Sequence, residues 1–135
     1  MEHALEALLK ELGAEDRDVT VVLVDDATIH QRNLRDRGVD APTDVLSYPT
    51  GEPDDRGFPS VPHLGDIFIS VDTAARQAAE RGTGLEQEVL VLAAHGLTHL
   101  RGFDHPTDER WQPFRAAERR ILALAGDSST PEVEA

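Results

Sequence analysis

His95 and His99 stand four residues apart in the run LEQEVLVLAAHGLTHL, Leu85 to Leu100, which is apolar nearly all round after its first turn. On a helix that spacing projects both imidazoles from one face, one turn above the other, where they can share a metal ion. Gly102 lets the chain leave the helix and double back, and His105, three residues further on, can complete a triad from a second direction. Three histidines leave one position of a tetrahedral zinc ion open to water, as a catalytic rather than a structural site requires. Cysteine is absent, so any transition metal must rest on histidine and carboxylate. His3, His30 and His63 have no such company and read as surface or loop residues, His30 being the one that could meet substrate.

The spacing His-x-x-x-His-x-x-Gly-x-x-His is also that of the metzincin proteases. Those enzymes carry a glutamate directly after the first histidine as general base, and here that position is Gly96, which cannot accept a proton. A zinc ion brings the pKa of its bound water down to about 7, but expulsion of an amine would still need an acid. Peptide hydrolysis is therefore the weaker reading. Phosphodiester cleavage asks instead for a Lewis acid on a phosphoryl oxygen and a cation facing the developing charge, and the arginine fork suits that task.

The elements that must position these groups follow from length, charge and pattern. A chain of 135 residues with 39% hydrophobic content has the size of one domain, expected over 1–126, with 127–135 a disordered acidic tail. No run approaches the roughly 18 apolar residues of a bilayer span, and Met1 opens an amphipathic stretch rather than a signal pattern, so a soluble cytoplasmic protein without a membrane partner is expected. The net charge of −13 ordinarily argues against a polyanionic partner. Acidic residues crowd the N-terminal segment and the tail, however, and Arg32, Arg35 and Arg37 face only Asp36 locally, a cluster whose bland reading is a solvated helix face.

Leu5, Leu8, Leu9 and Leu12 recur at helical spacing before Gly13. Val19 to Val24 reads as a buried strand, and Asp25 or Asp26 can cap a helix that Arg37 ends before Gly38. Asp44 to Tyr48, between Pro42 and Pro49, is a second strand; Pro49 to Pro62 is an irregular loop; Asp66 to Ser70 is a third strand. A short helix follows over Thr73 to Arg81, stopped by Gly82, and Thr83 with Glu86 has capping-box spacing for the buried helix through Leu100. The last helix covers part of Asp108 to Ala125, with Pro113 starting it late or kinking it. The sum is an α/β (α+β) fold: a small mixed sheet of three to four strands covered by about five helices, with a central buried helix carrying the metal site. Asp104 could orient a ligand histidine or serve the chain reversal, and Asp66 is equally divided between a supporting role at the metal and a strand terminus. Thr43 and Ser47 belong to the turn and strand.

Three blocks carry a resemblance to a known family. HGLTHLRGFDH (His95 to His105) resembles the HGxLHLxGyDH signature of the YbeY family, bacterial single-strand-specific endoribonucleases that mature ribosomal RNA, with a departure at Thr98. NLRDRGVDAPTDVLSY (Asn33 to Tyr48) and LGDIFIS (Leu64 to Ser70) resemble two further family motifs, so the likeness runs from about Val19 to Leu124. It implies one Zn(2+) per chain on His95, His99 and His105, a catalytic arginine at Arg37, and single-stranded RNA, ribosomal RNA or ribosomal subunits as partner, with Arg32 or Arg35 holding the flanking backbone. Asp36 stands where the family commonly has a tyrosine. Family members usually open with a β-strand whereas this chain opens on a helix, which leaves an edge strand missing or a start site upstream. Two other readings stay open on the residues alone, a zinc metallopeptidase of metzincin-like spacing and an RNA- or ribosome-binding module with structural zinc; the oligomeric state is open as well.

Overall fold

The structure is a computed structural model that describes residues 2–12, 17–50, 63–100 and 112–129. Within them the order is α1 (Glu2–Glu11), β1 (Asp18–Val24), α2 (Asp26–Arg37), β2 (Val45–Pro49), β3 (His63–Ser70), α3 (Val71–Arg81), α4 (Leu85–Leu100) and α5 (Gln112–Ser129). The strands form one sheet in the order β1-β3-β2, with β1 parallel and β2 antiparallel to β3. This is the small mixed sheet with helical cover that the pattern of alternating strands and helices predicts.

Capping explains most of the boundaries. Asp25 accepts the Thr28 N–H at 2.8 Å and starts α2, which ends at Gly38 in the left-handed conformation. Ser70 caps α3 in the same way through the Thr73 N–H, and Gly82 ends it. The start of α4 differs from expectation. Gly84 takes the cap position and donates its N–H to Gln87 Oε1 at 3.1 Å, so Gln87 is a side chain that reaches back to the cap. Pro113 sits in the first turn of α5, where a missing N–H is tolerated, and the helix runs on to Ser129. The remainder of the expected tail, the loop over 51–62 and Gly13 lie outside the described residues.

A bulge in β3 sorts its side chains between the two faces. Asp18 pairs with His63 and Thr20 with Asp66, so β3 carries one extra residue against β1 around Leu64 and Gly65. Gly65 has φ +151, and a Cβ there would lie 2.3 Å from the Tyr48 carbonyl oxygen. The bulge leaves Leu64, Ile67 and Ile69 in the core beside α4, while Asp66 and Phe68 face α2. On that second face Ile29 of α2 is fully buried. Behind α4 lie α1 and α5, joined by Arg120 donating to both carboxylate oxygens of Glu11 at 2.7 and 2.6 Å. β1 corrects the expectation of a buried strand: it is an edge strand none of whose residues is fully buried, and Leu23 is 46% exposed.

Candidate functional site

Ten of the sixteen residues of α4 are buried, among them Val89, Leu90, Ala93, Ala94, Leu97 and Leu100. Helix and sheet approach closely at Gly96, where an added Cβ would stand 2.7 Å from Ile67 Cγ2 and 3.0 Å from Ser47 Oγ. Ser47 donates its hydroxyl to the Gly96 carbonyl at 3.2 Å, fastening β2 to the helix. The position at which a metallopeptidase would need its glutamate is thus pressed against β2 and β3, with no room for a carboxylate. Thr98, the departure from the family signature, is 1% exposed and bonds back to the Ala94 carbonyl at 2.8 Å, so its hydroxyl is satisfied within the helix.

With Gly96 turned to the sheet, His95 and His99 face α5. Their rings meet edge to face with centroids 4.9 Å apart. Phe114 of α5, fully buried, lies 4.7 Å from each ring and sets their tilt by packing. Glu118, one turn further along α5, brings Oε2 to 3.5 Å from His95 Nδ1. A carboxylate at one ring nitrogen fixes the orientation that leaves the other, Nε2, available to a metal. Two imidazoles on one face, half-buried and steadied from behind, fit the donor set that zinc takes. His105 and Asp104 lie outside the described residues, and among the described residues no group of three or more His, Cys, Asp or Glu comes together to hold an ion.

The arginines separate. Arg37 donates Nη2 to the Ser47 carbonyl at 3.0 Å and so sits two hydrogen bonds from the histidine-bearing turn of α4. Arg35 is engaged by its neighbour, with Nε and Nη2 on the two Asp36 oxygens at 2.7 and 2.9 Å. Asp36 also accepts the Tyr48 hydroxyl at 2.6 Å, and these two donors, Arg35 foremost, hold its carboxyl far below the usual range. Arg32 sits over aromatic carbon, its guanidinium carbon 3.9 Å from the Phe68 ring centre and 5.9 Å from that of Tyr48. Asn33 of the motif is structural: buried, it donates to the Ala41 carbonyl at 2.8 Å and holds the segment that follows α2.

Asp66 bonds neither helix histidine. It accepts from His63 Nε2 at 3.0 Å on the α2 side of the sheet, and His63 Nδ1 meets Asp18, which raises the imidazole pKa through Asp18 first and Asp66 second. His63 therefore ties β1 to β3 from within a strand rather than a loop, and His30 pairs with Asp40 at 2.7 Å. Sequence reasoning missed Phe114, Glu118 and Phe68. Glu118 had a signal, since it shares the apolar stripe of Phe114, Ala117 and Ile121, where an acid needs a reason.

Comparison with known proteins settles the family. The family model for Endoribonuclease YbeY matches residues 1–126. The chain belongs to the YbeY endoribonuclease family. A Thermus thermophilus protein named Endoribonuclease YbeY is 54% identical over 92% of this chain and 88% of its own length. A Deinococcus radiodurans relative of the same name is 52% identical over 84% of this chain and 79% of its own. The solution structure of a Thermotoga maritima protein superposes with a TM-score of 0.63 at 26% identity, across 99% of this chain and 88% of that one. The YbeY assignment makes this chain a hydrolase that cuts RNA internally, and it sets the peptidase reading aside.

Proposed function

We propose that this endoribonuclease is zinc-dependent, acts on single-stranded RNA and takes ribosomal RNA, free or in ribosomal subunits, as its substrate in the cytoplasm. The observation that carries the zinc reading is the pair of imidazoles on one face of α4 with Glu118 behind His95. His95 and His99 would hold the ion together with His105. Bound zinc supplies a Lewis acid for a phosphoryl oxygen and a water of lowered pKa. Arg37, fastened to β2 beside the helix, balances the charge that accumulates on the phosphate at the transition state. Arg32 holds the flanking strand, and Arg35 can join it only by giving up Asp36. Asp104 would help to orient a ligand histidine.

Metal analysis of the purified protein with cleavage assays on single- and double-stranded RNA tests this. His99→Ala should carry no zinc, whereas Arg37→Ala should keep its zinc and its melting temperature and lose cleavage by about a hundredfold or more. Full-rate cleavage of single-stranded RNA by the histidine variant would refute the reading.

A further inference from the structure

Arg32, Tyr48 and Phe68 make up an arrangement that folding alone does not require. Arg32 projects from α2, Tyr48 from β2 and Phe68 from β3, and the three meet on the sheet face opposite α4. The Tyr48 and Phe68 rings are perpendicular, with centroids 5.5 Å apart, and the guanidinium lies over the Phe68 face. All three side chains are half-buried rather than sealed into the core. Arg35 is engaged by Asp36 and His63 by Asp18 and Asp66, whereas Arg37 donates to a backbone carbonyl. Arg32 is held against the two rings, with the Asp36 carboxylate near enough to feel its charge but bonded to Arg35 and the Tyr48 hydroxyl. The Tyr48 hydroxyl is anchored to Asp36, which fixes the ring's pose, and Asp36 and Ser47 are the chain neighbours of Arg37 and Tyr48 respectively. The stack therefore lies one residue along β2 from the carbonyl that holds Arg37, on the other face of the sheet from α4.

We propose that the Arg32–Phe68–Tyr48 stack is a platform for one nucleobase of the RNA that flanks the cut, reached round the β2 edge of the sheet from Arg37. A planar guanidinium pinned on an aromatic ring offers a flat face to a base and in-plane N–H groups to a phosphate, and unstacked bases of single-stranded RNA are the partners that such surfaces take. The proposal rests on the single-strand reading above, and it supplies a stacking surface from residues other than position 36, where Asp36 stands. A duplex keeps its bases stacked on one another and cannot use the platform, so the stack would be part of the discrimination between strand states.

The probe is a phosphorothioate-linked single-stranded oligouridylate of about 12 nucleotides, a common span for single-strand sites, compared with a strand of the same length bearing abasic sugars. The unaltered protein should bind the base-bearing strand more tightly, and Phe68→Leu should weaken that strand on the order of tenfold while hardly affecting the abasic one. Tyr48→Phe, which keeps the ring, should retain most of the preference. If Phe68→Leu fails to melt cooperatively, Arg32→Lys decides, because it keeps the charge and removes the plane: it too must lose the base preference. Equal weakening of both strands would make Arg32 a phosphate contact and overturn the platform, as would an unchanged preference in the variants. Failure of the unaltered protein to bind either strand would instead strike at the single-strand reading itself.

Discussion

Gly96 fixes how near the histidine helix can come to the sheet, and that makes it the residue where fold and chemistry are hardest to separate. Gly96→Ala forces a methyl against Ile67 and the Ser47 hydroxyl. The overpacking should cost about 1–3 kcal/mol, read as a lower midpoint in chemical denaturation, and loosen the Ser47 contact that carries Arg37. Glu118→Gln asks a different question of the same helix. It keeps shape but removes the charge at His95 Nδ1, so zinc affinity by competition with a chelator should drop about 10–100-fold with little loss of stability. That His95 and His99 share one helix face was legible in the sequence because a four-residue interval on a helix declares itself along the chain. Phe114 and Glu118 were not, since their meaning comes from the crossing of α5 over α4, which no local pattern specifies. Asp66 shows the converse. Read as equally a supporting group at the metal or a strand terminus, it lies inside β3, and the bulge at Gly65 turns it toward His63.

Between elements, the junction of α3 and α4 holds the least comfortable charge among the described residues. Glu88 is 2% exposed, with Arg81 Nη1 at 3.4 Å as its counter-ion, and its Oε2 has no hydrogen-bond partner among the described residues. Burial raises its pKa; Arg81 opposes this, and Asp44 and Glu118 add to it. An acid whose folded pKa is raised contributes its stability fully below the unfolded value, 4.5, and loses it as pH rises through the folded value. Glu88→Gln should therefore melt above the parent protein at pH 8, with the difference closing toward pH 4. Asp26 works the other way. Ser70, Thr73 and Arg76 donate to it where the starts of α2 and α3 meet, holding its pKa at about 2, so that junction loosens only in strong acid. Helix ends were the most readable part of the fold, because Asp25, Gly38 and Gly82 do locally what their residue types allow. The burial of β1 was misjudged because a run of branched residues looks alike in a central or an edge strand, and only pairing order tells them apart.

For the molecule as a whole, a net charge of −13 sets how an acidic protein can hold a polyanion. Local arginines must do it against the average field, so few phosphates are contacted. With two or three such contacts, binding of single-stranded RNA should fall with salt at a log–log slope of about −1.4 to −2, shallow for a nucleic-acid enzyme. A slope twice as steep would mean that a larger basic surface is in use. The place of β3 at the centre of the sheet bears on synthesis. β1 and β2 each pair with β3 and never with each other, so a nascent chain that has not yet released residue 70 has two strands and no sheet. The seat for the histidine helix is thus finished only after more than half the polypeptide has left the tunnel, and the helix itself emerges later still. Premature termination upstream of that point would release a fragment that lacks both the sheet and the helix packed on it, and so could not cut RNA.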